Sequence, residues 1–447
     1  MANIFVRSPY IVSINETGQV SSKIEIYLWN GTGSAPATPQ YTLSKAIPSD
    51  TNTNTSYDIS PYVREYLSHV ATQSPVALST SFTNLTSTQW CNVKVKKYYK
   101  LIIDGEVTND FLLGEVTHYA HDGYSFYESG ANFDHGRFLL EQKEYFYNED
   151  ATYAGEVACY LNSGEKVKYG NDFTSSTATI NSTPIFGGFR KITSVSVTGD
   201  YTAEATTGVA LYFTYEYEAG QPITSWTGTV LSSVYNSGTN ITTITPNFGG
   251  TDIIIEGGLS NSGNRTVTAG DSELYTVSTS GWYTIPRISG DLTILRIYNS
   301  ALSTLYASWT FTPICEPKYT PVVIDFINKY GAWQREFFFK ASKTNISIES
   351  NDYNVMQSSA SAYDVLQGQK RSFNTNGMET ISVNSGYVNE DFSSNIKQLL
   401  MSERILVDNK PAICKTKSLE LMKNINNHMI NYSLEFEFAY NSINNVI

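Results

Sequence analysis

Three of the five histidines lie close together in the chain, and their spacing is the pattern in this sequence that most resembles a metal or catalytic site. His118 and His121 form a His-x-x-His pair, and His135 follows directly after an aspartate. Imidazole nitrogens at such spacing are able to ligate a divalent metal or to act as a general base. The segment has no H-E-x-x-H motif and no third ligand at metallohydrolase spacing. We therefore favour histidines that hydrogen-bond an irregular loop, with metal binding or catalysis as the alternative.

Glu435 and Glu437 form a second candidate pair. On one strand face their carboxylates would lie about 7 Å apart, a separation that glycosidases use. A solvated or interface-facing strand edge is the simpler interpretation. Motifs for nucleophiles and phosphate loops are absent, since there is no G-x-S-x-G and no glycine pair followed by Lys and Ser or Thr. We expect no enzymatic activity, no metal and no cofactor.

The composition favours a protein built for contact. Charged residues make up only 16% of the 447 residues, whereas 32 tyrosines supply rings with a polar tip that suit both subunit interfaces and sugar-binding surfaces. The formal net charge of −12 argues against a groove that tracks nucleic-acid phosphates. The interface candidates are Tyr124, Phe126, Tyr127, Trp333, Glu435 and Glu437.

The four cysteines and the apolar runs give further expectations. Cys91, Cys159, Cys315 and Cys414 lie far apart, so we expect buried reduced thiols rather than a zinc site or a disulfide framework. No apolar run approaches the ~18 residues of a membrane span, and Met1–Arg7 lacks the features of a secretory signal. We expect neither a membrane span nor an export signal.

The elements that must position these residues are mainly strands. Residues 22–29 alternate apolar and polar side chains, and residues 430–438 do so over their whole length. Ser60 and Pro61 predict the start of a short helix, and residues 390–402 predict a second one with Asn389 as its cap. The sequence therefore predicts a mainly β, multi-domain protein of antiparallel β-sandwich or barrel modules with one or two short helices.

Changes in sequence texture divide the chain into three parts. Residues 1–195 predict a β-rich domain that contains an aromatic loop at 111–148. Residues 196–314, with turn signals every 8 to 12 residues or so, predict an inserted Ig-like or small-barrel sandwich. Residues 315–447 predict a β domain with one helix. We expect the first and last parts to form one discontinuous domain, with the last strand pairing into the N-terminal sheet.

Several segments resemble virion tail proteins of tailed phages that infect Bacteroidetes bacteria, crAss-like phages included. These segments are Gly386–Glu403, Ile405–Asp408, Lys415–Glu420 and Ile430–Tyr440, together with Asp122–Asn132 and Tyr330–Gln334. The resemblance covers the start and the end of the chain and leaves the Ser194–Pro313 module as an insertion.

The resemblance implies a ring- or hub-forming tail subunit. Copies would close into a six-fold or twelve-fold ring around the channel through which DNA leaves, next to other tail or portal-proximal virion proteins. An acidic, polar lumen would let DNA pass without sticking. Assembly would take place in the host cytoplasm. Two alternatives stay open: a carbohydrate-binding, adhesin-like or receptor-binding protein, and a hydrolase of surface polysaccharide that uses the histidine cluster.

Overall fold

The computed structural model describes most of the chain. The described residues are 3–31, 33–47, 54–67, 83–84, 90–151, 153–170, 172–175, 178–185, 189–202, 205, 207–216, 223–247, 249, 254–256, 265–270, 273–288, 294–355, 366, 368–388, 390–418 and 430–443. The fold is mainly β with several antiparallel sheets, which confirms the predicted fold class.

The strands and helices follow one another along the chain in this order. The first part contains β1 (Asn3–Phe5), β2 (Ile11–Asn15), β3 (Gln19–Trp29), β4 (Tyr41–Ala46), β5 (Asn54–Asp58), helix α1 (Ser60–Tyr66), β6 (Thr83–Asn84), β7 (Trp90–Ile103), β8 (Glu106–Val107), β9 (Phe111–His121), a 3-10 turn (Tyr127–Ser129), β10 (Glu144–Asn148) and β11 (Tyr153–Leu161). The middle part contains β12 (Lys166–Tyr169), β13 (Asp172–Ser175), β14 (Thr179–Pro184), β15 (Phe189–Thr198), β16 (Ala210–Glu216), β17 (Ile223–Asn236), β18 (Ile241–Asn247), β19 (Ile254–Glu256), β20 (Arg265–Gly270), β21 (Glu273–Thr276), β22 (Gly281–Ile288), β23 (Ile294–Tyr298) and β24 (Leu305–Ile314). The last part contains β25 (Val322–Ile327), β26 (Trp333–Phe338), β27 (Lys343–Asn354), β28 (Lys370–Val388), helix α2 (Phe392–Leu400), β29 (Ile405–Val407), β30 (Lys410–Cys414) and β31 (Ile430–Phe438).

The chain forms two compact units. Unit 1 comprises Met1–Asn162, Ser280–Ser289 and Thr312–Ile447, and unit 2 comprises Ser163–Thr279 and Gly290–Phe311. The inserted unit thus begins near residue 163 rather than at 196, because strands β12, β13 and β14 already belong to it. Trp282 is a core residue that belongs to unit 1, although it lies within the segment 196–314 that was predicted to form the inserted module.

The N-terminal sheet of unit 1 has the strand order β1-β9-β7-β3-β4. Its apolar face packs on helix α1 and on the β2–β5 pair around Ile24, Ile26 and Val93. Helix α1 begins at Ser60, and its N-cap residue is Ile59, which forms no side-chain cap hydrogen bond. Ser60 lies inside the helix, and the Asp58 carboxylate accepts hydrogen bonds from both the Ser60 backbone N–H and its hydroxyl.

The predicted aromatic loop at 111–148 is wrong at both ends. Residues 111–121 form strand β9, which pairs with β7 along its length and with β1 in parallel, and residues 144–148 form β10. The outer half of β9 exposes residues on both faces, so it lacks the single buried face that makes alternation visible in a sequence.

The C-terminal sheet of unit 1 has the order β26-β25-β29-β30-β31-β28-β27. The predicted alternation of the last strand is confirmed, since Ile430, Tyr432, Leu434, Phe436 and Phe438 are all buried. The prediction that this strand joins the N-terminal sheet is wrong. It pairs with β28 and β30, and its apolar face packs on the face of α2 that contains Phe392, Ile396 and Leu399. The predicted cap, Asn389, lies outside the described residues.

A close backbone contact joins the N-terminal and C-terminal segments within unit 1. The Tyr124 N–H donates to the Lys329 carbonyl over 2.7 Å. A Cβ on Gly123 would lie 2.5 Å from that carbonyl oxygen, and Gly331 has a φ of +80° and faces the Asp122 backbone just as closely. Both positions therefore require glycine. The Asp122–Asn132 and Tyr330–Gln334 segments meet at this junction.

Unit 2 has its own core. Its larger sheet has the order β13-β20-β16-β17-β18-β15-β14 and encloses a cluster that includes Leu211, Phe213 and Ile244. Strands β24, β23, β12 and β21 pair in that order in a second sheet.

Two further expectations concern cysteines and membranes. Cys91, Cys159 and Cys414 are buried as predicted, whereas Cys315 is exposed, which corrects the expectation for that residue. Among the described residues, no helix is long and apolar enough to cross a membrane.

Candidate functional site

The histidines lie among aromatic rings rather than around a shared ligand position. His121 is 1% exposed, its ring packs edge-on against Trp282, and burial lowers its pKa to about 3, so the imidazole is neutral. His135 packs against the ring of Phe5, whereas the His118 ring lies against Tyr10. In the part of the chain that the structure describes, no group of three or more His, Cys, Asp or Glu residues is arranged to hold a metal.

The aromatic interface candidates separate into buried and exposed residues. Tyr124 and Trp333 are buried in the monomer and therefore offer no contact surface. Phe126 is half-buried beneath the Lys397 ammonium, whose Nζ lies 3.9 Å from the ring centroid. Tyr127 is fully exposed on the 3-10 turn. Of these four residues, Tyr127 alone presents its whole side chain to solvent.

Glu435 and Glu437 lie on the polar face of β31, as predicted. Glu437 forms an ion pair with Lys415 over 2.7 Å, and Glu435 is exposed. Their strand partners on β28 are Ser382 and Thr380. Glu437 lines a small pocket of about 240 Å³ together with Glu349 and Thr380, and its carboxylate there is paired with Lys415, whereas Glu435 lies on the solvated strand face.

A buried carboxyl connects helix α2 to strand β26. Glu336 is buried, and its Oε1 accepts hydrogen bonds from Gln334 Nε2 and Asn395 Nδ2. Burial raises the pKa of Glu336 to about 8, an effect that the two hydrogen bonds only partly offset. Nearby, Glu141 Oε2 accepts from Gln398 Nε2 of the same helix over 2.8 Å. The hydrogen bonds of these two acids attach helix α2 to the neighbouring segments of unit 1.

A two-stranded ribbon that extends from the C-terminal sheet is exposed along its length. We define the C-terminal ribbon as residues 343–354 of β27 and 370–375 of β28. All twelve residues of β27 are exposed, and so are the first six of β28. Strand β31 pairs with β28 only from Thr380 onward, so within the described residues β27 is the only strand that pairs with residues 370–375.

The ribbon exposes apolar side chains that a monomer would ordinarily bury. Ile346 is 60% exposed and Ile348 is 68% exposed, and both project from the same strand face two residues apart. Tyr353 and Phe373 form an edge-to-face pair near the far end, with ring centroids 5.6 Å apart. The sequence analysis missed these residues. The alternation of Ile346 and Ile348 with polar neighbours was the available signal.

A second exposed apolar surface lies at the end of the N-terminal sheet. We define the N-terminal arm as residues 101–113. Asp104 and Gly105 both have positive φ and form a tight two-residue turn between β7 and β8. Five of the arm's large apolar side chains are at least two-fifths exposed: Ile102, Ile103, Val107, Phe111 and Leu112. Paired charges lie on the same sheet: Lys23 with Asp110 of the arm (2.6 Å) and Lys94 with Glu115 (2.7 Å).

No protein-family model, curated protein or solved structure matches this chain.

Proposed function

We propose that this chain is a structural subunit of a bacteriophage tail, in which copies assemble into a closed ring around the channel for DNA. Its other partners are neighbouring tail or portal-proximal proteins of the virion, and assembly takes place in the host cytoplasm. The role is structural rather than enzymatic. The tail assignment is supported by the resemblance of the segments that end in β31 and of those that meet at Gly123 and Gly331.

The observation that carries the assembly role is the exposure of the C-terminal ribbon. Twelve consecutive exposed strand residues, with Ile346 and Ile348 among them, gain almost no burial within one chain. A two-stranded ribbon without a packed face is marginally stable in water, and contiguous exposed apolar surface marks interaction sites. A neighbouring copy that covers the ribbon would supply the missing burial.

Two apolar surfaces on different sheets favour a head-to-tail contact. The ribbon belongs to the C-terminal sheet and the N-terminal arm belongs to the N-terminal sheet. A contact between unlike surfaces generates a ring when its rotation closes. The net charge of −12 suits a lumen through which DNA passes without binding.

The test is the mass of the full-length protein by light scattering, with negative-stain images of any large species. We compare the wild type with the double variant Ile346→Asp/Ile348→Asp. Two buried charges at a subunit contact cost far more than the contact gains, so we expect rings from the wild type and monomers from the variant.

Leu231→Asp/Val234→Asp is the matched control, because it places the same two charges at exposed apolar positions on β17 of unit 2. The control is expected to form rings as the wild type does. A wild type that stays monomeric at high concentration, or a double variant that forms rings unchanged, would contradict the proposal.

A further inference from the structure

A pocket in unit 1 lies outside the two surfaces assigned to assembly. It has a volume of about 460 Å³, within the range of small-molecule sites. Its walls include the rings of Tyr119, Tyr160 and Trp282 and the polar side chains of Asn3, Asp134 and Arg137, with Asn162 at its edge.

Strand register places the wall residues beside one another. Asn3 on β1 is the register partner of Tyr119 on β9, and Tyr160 on β11 is the partner of Trp282 on β22. The Tyr119 and Tyr160 ring centroids lie 5.4 Å apart, and both side chains are partly buried against the cluster that contains Trp282. The pocket is therefore formed by paired strands of unit 1, and its aromatic wall is fixed by the fold.

Polar groups complete the pocket on its other side. The Asp134 carboxylate accepts the Gly136 N–H over 2.9 Å, which orders the segment that leads to Arg137, and the Arg137 carbonyl accepts the Tyr160 N–H. Trp282 is 2% exposed, and its Nε1–H has no acceptor among the described residues. An unpaired buried donor in a pocket wall is unusual in a folded protein.

The charges of the pocket favour a neutral ligand over a phosphate. Asp134 and Arg137 carry opposite charges, so the pocket is formally neutral and lacks the excess of cations that a phosphate requires. The Asn3 Nδ2–H donates to the Gly136 carbonyl, so Asn3 Oδ1 and the Asp134 carboxylate supply acceptors and the Arg137 guanidinium supplies donors, which suits several hydroxyl groups at once. The partly buried tyrosine rings in the pocket wall supply apolar surface beside those polar groups.

We infer that this pocket binds a neutral pyranose sugar, with the C–H face of the sugar against Tyr160 and Tyr119. The hydroxyl groups face Asp134, Arg137 and the side-chain amides. The site goes beyond the assembly role and does not depend on it. It would give the chain a contact with glycans.

The test is saturation-transfer NMR on the full-length protein with the methyl glycosides of glucose, galactose, mannose and N-acetylglucosamine. Adenosine monophosphate is measured in parallel. We expect transfer to the ring protons of at least one glycoside and none to the nucleotide. Tyr160→Leu, which removes the ring, and Asp134→Asn, which removes a charge but keeps an acceptor, should each weaken binding about tenfold.

Two controls separate the pocket from the rest of the surface. Tyr160→Phe keeps the ring and should retain binding, and Tyr127→Leu removes an exposed tyrosine outside the pocket and should bind as the wild type does. Transfer to no glycoside, transfer that survives both pocket variants, or transfer to the nucleotide instead would overturn the inference. Because binding is measured on any oligomeric species, a failure here is distinct from a failure to form rings.

Discussion

The two halves of strand β28 differ although one strand, β27, pairs with much of both. Residues 380–388 also pair with β31 and place Ile381 and Val383 in the core. Residues 370–375 have the same neighbour β27 but remain exposed on both faces. Pairing alone therefore does not bury a strand. The third strand and helix α2 do, and where they end the chain presents a surface for a partner.

The largest expected effect on the free energy of unfolding comes from removing an aromatic side chain that packs against the buried half of β28. Phe436 is fully buried opposite Ile381, so Phe436→Ala leaves a cavity and should lower the free energy of unfolding by about 3–5 kcal/mol. Urea unfolding of the monomer measures this change. Phe373→Ala, in the exposed half of β28, is the matched control and should change it by less than about 0.5 kcal/mol. Equal losses in both variants would abolish the distinction between the halves.

The free energy of unfolding is expected to depend on pH through the buried Glu336 of β26. The folded protein keeps a proton on Glu336 up to about pH 8, whereas the unfolded chain releases it near the ordinary carboxyl pKa, so the free energy of unfolding falls as pH rises between these values. Glu336→Gln removes this slope of up to about 1.4 kcal/mol per pH unit. Urea unfolding curves across that range should show that the free energy of unfolding of the variant increases relative to that of the wild type as pH rises.

Glu435→Gln, the same substitution at an exposed position of the same sheet, is measured alongside as the matched variant. A Glu336→Gln variant whose slope equals that of the wild type would show that this carboxyl is ionised in the folded protein.

A smaller effect is expected on the polar face of the same core strand. Lys415→Gln removes the ion pair with Glu437, in which the lysine side chain is nearly half-exposed. Such surface pairs contribute less than about 1 kcal/mol and are screened by salt. Thermal unfolding should show a slightly lower Tm at low salt and no difference at high salt. A large loss that persists in high salt would mean that this face is covered.

The smallest expected effect on the monomer is in the ribbon. Ile348→Asp should change the free energy of unfolding of isolated monomers by less than about 0.5 kcal/mol, because the side chain is already mostly in water. Asn345→Asp on the same strand gives a charge-matched comparison in denaturant unfolding. A substantial loss from Ile348→Asp alone would show that the ribbon packs within one chain.

Elements that bury one face were predicted correctly from the sequence, whereas elements that expose both faces were not. Strand β31 and helix α2 each bury one face, so their periodicity was visible and their apolar residues were predicted correctly. Strand β9 exposes both faces in its outer half and shows no alternation there, whereas β27 alternates only at Ile346 and Ile348, too short a stretch to indicate a twelve-residue strand. The pocket residues escaped notice because they lie on four separate strands and a loop, and only the register brings them together.

The cluster that contains Phe5, Trp90, Trp282 and Tyr330 has a consequence for the order of synthesis. A ribosome delivers Phe5 and Trp90 early, but their packing partners come from β22 and from the turn before β26. No nascent chain that ends before Ala332 contains all of this cluster. Strand β11 likewise cannot pair with β22 until the ribosome has synthesised the first segment of unit 2, which lies between them in the chain. The inserted segment therefore sets a delay during translation, and unit 1 is completed only after most of the chain has left the ribosome.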